Sequence, residues 1–190
     1  MKALTKFAII TALFFVAIFA WAHFTKPKPF GDDFSLTDSN GKMVTQDDIR
    51  AQPSAVFFGY TMCPDVCPTT LLDITEWLEA LGPDADKIKV WFFTVDPERD
   101  TPQVMHDYIS NFSDRIIGIS GDPQKVHAAI KSFNIVAEKV PGNDGDYTYD
   151  HTAAVILLRK GGRVRTTIPY QQDKEVAVEW LKELAQSAGN

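Results

Sequence analysis

The ten residues Gly59 to Pro68, GYTMCPDVCP, hold both cysteines of the chain, Cys63 and Cys67, where one kind of periodicity gives way to another. Before them Ala55 to Gly59 is a short unbroken apolar run, as expected of a strand covered on both faces. After them Leu71, Ile74, Leu78 and Leu81 lie on one stripe, which predicts a helix over Thr69 to Leu81 stopping near Gly82-Pro83. A buried strand that turns directly into an amphipathic helix belongs to an α/β domain, and here the turn carries two thiols. A chain of 190 residues with 45% hydrophobic content can build one compact core without covalent staples. A bridge between residues this close would constrain only a tiny loop, so the pair is read as chemical rather than structural.

The remaining pattern alternates in the same way. Phe34 to Leu36 and Lys42 to Thr45 flank Asp38-Ser39-Asn40-Gly41 as a hairpin, since Asn-Gly supplies positive φ values. Val90 to Val95 is a second buried strand, ending at Asp96-Pro-Glu-Arg-Asp100. Thr101-Pro102 and Asp122-Pro123 each read as an N-cap followed by proline at the first helical position. The helices they open place Val104, Met105, Tyr108, Ile109 and Phe112, then Val126, Ile130 and Phe133, inward. Arg115 to Ile119 is a short strand between them. Glu138 to Asp150, rich in glycine, aspartate and tyrosine and without periodicity, reads as a long exposed loop that leads to His151. Ala153 to Leu158 and Val164 to Ile168 flank Gly161-Gly162 as a second hairpin. A last helix, Asp173 to Gln186, points Val176, Ala177, Trp180, Leu181 and Leu184 inward. Together these predict a mixed central sheet flanked by helices.

The N-terminal segment reads as a targeting element. Lys2 and Lys6 precede Phe7 to Ala22, which carries no charge and has Trp21 near its end. At about 1.5 Å per residue such a run spans roughly 24 Å, somewhat short of a bilayer core of about 30 Å. A signal peptide cut after Ala20-Trp21-Ala22 is the alternative to an uncleaved anchor. The proline-bearing stretch after it favours the anchor, giving a cytoplasmic N-terminus at 1–6, a transmembrane anchor at 7–24, a linker at 25–31 and a domain at 32–190. Either way the domain is exported. The net charge of −6 speaks against a nucleic-acid footprint, which needs a basic face.

Each cysteine is followed by proline, and the residue before a proline is pushed out of the α region. Cys67 is therefore expected to cap the helix, with Pro68 as its first residue. Thiols in a loop before a helix can approach to form a disulfide or open to hold a metal ion. The dipole and free amides of the helix start favour thiolate over thiol. Three residues separate the cysteines, where a disulfide oxidoreductase usually has two, and no second pair is present to complete a structural zinc site. Two thiolates and an imidazole suit copper, the sulfurs favouring Cu(I) and the nitrogen helping to hold Cu(II). His23 lies by the membrane segment, and His106 and His127 fall on amphipathic helices as ordinary solvated positions. His151, between a long loop and a buried strand, is the candidate third ligand. Asp65 could add a weak oxygen ligand, although an aspartate in this place is more often a turn former. Met62 could offer a thioether, and Tyr60, Tyr147 and Tyr149 could line the site; packing is the plainer role for each.

GYTMCPDVCPTTL, FFTVDPERDTP and YTYDHTAAVILL together resemble the three signature blocks of the Sco (SenC-type) family, in order and spacing from about Phe34 to the C-terminus. That resemblance implies a membrane-tethered, thioredoxin-like copper protein that helps assemble the copper centre of cytochrome oxidase. It implies copper ligation by Cys63, Cys67 and His151, and supporting or docking roles for Asp96 and Asp100. It also implies a copper-receiving oxidase subunit as partner, together with a periplasmic copper carrier or thiol reductant, and an inner-membrane location with the domain in the periplasm or an equivalent compartment.

Two functions compete. A metallochaperone would bind copper through the three ligands and pass it on by ligand exchange. An exported thiol:disulfide reductase would use Cys63 and Cys67 as a redox pair that keeps the oxidase's copper-binding cysteines reduced. A peroxidase of the peroxiredoxin type fits poorly, because its motif wants threonine three residues before the cysteine, where this chain has Tyr60. A purely structural disulfide would not account for His151 or for the two prolines.

Overall fold

The computed structural model describes residues 11, 13–19, 21, 29–142 and 145–189. Much of the expected anchor, 7–24, and of the linker after it lies outside the described residues. Residues 13–19 are helical, and among the described residues no helix is long and apolar enough to cross a membrane.

The domain opens with β1 (Ser35–Asp38) and β2 (Met43–Thr45), joined as the Asn-Gly signal predicts. Asp38 Oδ1 accepts from the amides of Asn40 and Lys42, both at 2.8 Å, and Gly41 takes the positive φ of +79° that the turn requires. A short helix, α1 (Gln46–Arg50), follows at once. The sequence gives it too few turns to show a period, and it is opened by the Thr45 amide donating to Asp48 Oδ2 at 2.8 Å.

β3 (Ser54–Gly59) and β4 (Lys89–Thr94) form the centre, β3 buried at all six positions. Their apolar runs pair in parallel, Ala55 to Val90 through Gly59 to Thr94. Phe57 stacks on Phe92 and Phe58 on Phe93, with centroids 5.6 and 5.2 Å apart. Each such buried ring contributes on the order of 2–3 kcal/mol through removal from water. β5 (Ile116–Ser120) extends the parallel set beside β4. With β8 (Ala154–Arg159) and β9 (Arg163–Pro169) added antiparallel, the seven-stranded order is β2-β1-β5-β4-β3-β8-β9.

Helices cover this sheet. α2 (Val66–Leu81) packs against α5 (Lys174–Gln186), and α3 (Pro102–Ile109) lies against β5, with α4 (Pro123–Ser132) beyond it. The two Xaa-Pro starts behave as the sequence predicts: Thr101 Oγ1 accepts from the Val104 amide at 3.2 Å and Asp122 Oδ1 from the Lys125 amide at 3.1 Å. The inward faces differ in detail. Val104 and Val176 are exposed, while Val178 and Ala185, which the stripe omitted, are buried.

Two expectations are corrected. Cys67 does not cap α2, because the helix begins at Val66 with Asp65 at its N-cap. Amides in the first helical turn have no intrahelical partner, so Pro68 at the third position forfeits no bond, and the free Cys67 amide points to Cys63 Sγ at 3.4 Å. Nor is Glu138 to Asp150 an irregular loop. It contains most of β6 (Ala137–Pro141) and β7 (Tyr147–His151), an antiparallel pair separate from the main sheet, with Ala137 opposite His151. Among the described residues of this hairpin only Tyr149 is buried, so no apolar alternation marked it in the sequence.

Candidate metal centre

The site lies at the carboxyl ends of the parallel strands, where open α/β sheets present their ligand-binding crevices. β3 leads into the cysteine turn and β4 into the turn Asp96–Asp100. The Val95 amide donates to the Gly59 carbonyl at 2.7 Å and ties the two exits together. The cysteine turn is closed by the Cys63 amide donating to the Tyr60 carbonyl at 3.3 Å, which leaves Cys63 part-exposed and Cys67 fully buried at the start of α2. Gly59 makes room for that buried sulfur. A Cβ on Gly59 would lie 2.6 Å from Cys67 Sγ and 2.9 Å from the Phe92 ring. Its role was missed in the sequence, where the only signal was a glycine ending an otherwise bulky strand.

His151 arrives from the far end of β7. Its Nε2 is 3.5 Å from Cys67 Sγ, and its Nδ1 is 3.2 Å from the Thr152 carbonyl. A carbonyl only accepts, so in the neutral ring this bond places the proton on Nδ1 and leaves the Nε2 lone pair facing the sulfurs. Phe57 and Tyr60 pack edge-on to the imidazole, with centroids 6.4 and 5.8 Å away. The ligand atoms of Cys63, Cys67 and His151 all lie within 4.8 Å of one another. Both cysteines are free thiols.

The two thiols titrate apart. Hydrogen bonding from the Cys67 side chain, reinforced by the Cys67 amide against an opposing effect of burial, brings Cys63 down from 9.0 to about 3. The neighbouring Cys63 sulfur, and then burial, push Cys67 up. At neutral pH the pair carries one negative charge, on the more accessible sulfur.

The aspartates divide by role. Asp100, fully buried, accepts from the Thr61 amide at 3.0 Å, Thr61 Oγ1 at 2.5 Å and Thr94 Oγ1 at 2.6 Å, and so fixes the start of the cysteine turn. Burial raises its pKa, and these hydrogen bonds oppose the rise. Asp96, also fully buried, pairs with Arg99 and accepts from Tyr147 Oη at 3.0 Å, which ties the β6–β7 hairpin to the same turn. Neither carboxylate is among the clustered ligand atoms, nor is Asp65, which is exposed with Thr69 as its side-chain partner. Met62 is 60% exposed beside Cys63. Tyr60 is buried and bonds Thr148 Oγ1 at 2.5 Å, and Thr61, Thr94 and Thr148 carried no signal in the sequence. His106 and His127 sit on exposed helix faces away from the cluster, and His23 lies outside the described residues.

The chain matches the family described as SCO1/SenC over residues 22–186. It is similar to the SCO2-like protein of Rickettsia felis, 34% identical over 154 residues that span 80% of this chain and 75% of that one. Among solved structures it is similar to copper-bound ScoI of Bradyrhizobium japonicum, at 47% identity and a TM-score of 0.76 over 82% of this chain and 99% of that one. It is also similar to copper-bound yeast Sco1, at 29% identity and a TM-score of 0.75 over 84% and 90%. The thioredoxin-like fold with a mixed sheet expected from the resemblance is the fold of these relatives. With the family matched across most of its length, this chain belongs to the SCO1/SenC family.

Proposed function

We propose that the chain is a copper carrier for cytochrome oxidase assembly. Cys63, Cys67 and His151 would hold the metal ion, and residues 7–24 would tether the domain to the membrane, facing the periplasm or an equivalent exported space. The observation that carries the reading is the convergence of two sulfurs and one imidazole nitrogen within 4.8 Å, a donor set whose softness suits Cu(I) and whose nitrogen also accommodates Cu(II). Copper is the cargo. Cys63 offers a ready thiolate at neutral pH, while binding at Cys67 displaces its proton. Delivery proceeds by ligand exchange, as thiolates or imidazoles of a receiving oxidase subunit replace His151 and then the two sulfurs. A periplasmic copper carrier would load the site by the same exchange in reverse.

A second reading, thiol:disulfide reduction, is favoured by the accessible Cys63 thiolate. That sulfur attacks a disulfide on the partner, forming a mixed disulfide and releasing one partner thiolate. Cys67 then attacks Cys63, so that a Cys63–Cys67 disulfide forms, two electrons pass to the partner and the second partner thiol leaves. A thiol reductant would restore the pair.

The two are separated by anaerobic titration of the reduced full-length protein in detergent with Cu(I) against a competing chelator, for wild type and His151→Ala. One tight equivalent that weakens markedly in the variant supports the carrier with His151 as a ligand. Unchanged binding removes His151 from the ligand set. Absence of tight binding, with disulfide reduction retained by His151→Ala, favours the reductase.

A further inference from the structure

His151 owes its place to a hairpin that the main sheet does not hold. β6 and β7 pair only with each other, and Tyr149 is their one buried side chain. The hairpin is fastened by polar contacts to two turns. Tyr60 of the cysteine turn bonds Thr148 Oγ1 at 2.5 Å and accepts from the Tyr149 amide at 3.4 Å. A larger set converges on the turn Asp96–Asp100. Arg99 pairs with the buried Asp96, and its Nη1 donates to the Tyr147 carbonyl at 3.2 Å and to Asp146 at 3.1 Å. Its guanidinium carbon lies 3.8 Å from the centroid of the Tyr147 ring, whose hydroxyl donates to Asp96 at 3.0 Å. Asp96 is thus shared between a cation on its own turn and a phenol on the hairpin. The neighbouring Lys139–Glu98 pair is exposed at both ends, where such pairs contribute little.

We propose that Arg99 and Tyr147 are positioning residues for copper release: they fasten the hairpin to the Asp96 turn, hold the imidazole beside the two sulfurs, and set how quickly bound copper is surrendered. The inference rests on the reading of His151 as a ligand. Undoing the fastening lets β7 withdraw and leaves the metal on two thiolates, open to incoming ligands. The contacts suit this task because the cysteine turn keeps its own anchor at Asp100 and is bonded to β7 through Tyr60, so loosening the Asp96 turn frees most of the histidine arm while Asp100 holds the sulfur arm.

The test uses the full-length protein in detergent with Arg99→Lys, which keeps the charge but not the forked reach, and Tyr147→Phe, which keeps the ring but drops the bond to Asp96. Amide hydrogen exchange of residues 147–151 is followed in the metal-free protein, and transfer of Cu(I) to excess chelator in the loaded one. Loss of one charge-assisted hydrogen bond is expected to speed both by about tenfold, with helix exchange unchanged. In the His151→Ala background the same substitutions should add nothing to release, since the arm they hold no longer carries a ligand. Unaltered exchange in the hairpin, or an equal acceleration of release with and without His151, overturns the proposal. If His151→Ala itself leaves release unchanged, the ligand reading has failed and the proposal falls with it. If that variant speeds release while Arg99→Lys and Tyr147→Phe do not, the positioning role alone is overturned.

Discussion

The Nε2 of His151 lies 3.5 Å from the Sγ of Cys67, although 84 residues separate them in the chain. The contact joins the start of α2 to the end of β7, two segments that share no strand ladder. A soft cation bound there would bridge the central layers and the hairpin, so its binding energy would also stabilise the fold.

Replacing His151 by alanine should weaken Cu(I) binding by on the order of a hundredfold or more, since loss of even a group supporting a ligand typically costs 10- to 100-fold. The chelator competition described above reads this directly. An affinity within about threefold of wild type would exclude the imidazole as a ligand.

Gly59→Ala should destabilise the protein by about 1–3 kcal/mol, the usual consequence of forcing a methyl group into a packed core. Its Cβ would lie 2.6 Å from Cys67 Sγ and 2.9 Å from Phe92. Chemical denaturation measures the loss. Adding Cys67→Ala, which removes the nearer obstacle, should recover part of it, whereas an additive double variant would show that the sulfur is not what Gly59 accommodates.

Cys63 should react with iodoacetamide at a nearly constant rate from pH 5 to pH 8, because its thiol is brought down from 9.0 to about 3. Buried Cys67 should stay protected. A depressed thiol contributes stability that is complete above the unfolded value near 9.0 and is lost as pH falls through about 3. Cys63→Ser should flatten that part of the pH dependence in urea denaturation of the metal-free protein. A rate that instead climbs tenfold per pH unit up to pH 8 would show an ordinary thiol.

Asp100→Ala should cost about 2–3 kcal/mol, because it leaves the Thr61 amide and the hydroxyls of Thr61 and Thr94 without their shared acceptor. Copper affinity should fall as well, since the turn bearing Cys63 loses its anchor. Asp65→Ala, at an exposed residue outside the cluster, should leave copper affinity within about threefold. Titrating both variants side by side checks the contrast.

What could be read from the chain was what neighbouring residues decide among themselves. The apolar runs of β3 and β4, the proline-marked starts of α3 and α4, and the turns at Gly41 and Gly161-Gly162 all follow from backbone preference and local burial pattern. The resemblance to Sco proteins rested on three such local blocks. The residues joining them left fainter traces. β6 and β7 bury a single tyrosine and therefore show no apolar period, and α1 is too short to display one.

The composition of the cluster was legible as two cysteines awaiting a histidine, because soft donors in a turn narrow the chemistry whatever the fold. Which atoms meet, and what charge they carry, was decided by tertiary structure. Cys67 is buried inside α2 rather than at its cap because the Cys63 sulfur takes up its free amide and Gly59 leaves room for its side chain. Asp96 and Asp100 look alike in sequence, yet one fastens the histidine arm and the other the cysteine turn. Local sequence constrains torsion angles and faces, whereas distances between remote segments, and the contact between two sulfurs that with burial separates neighbouring thiols into a thiolate and a thiol, arise only when the layers close on one another.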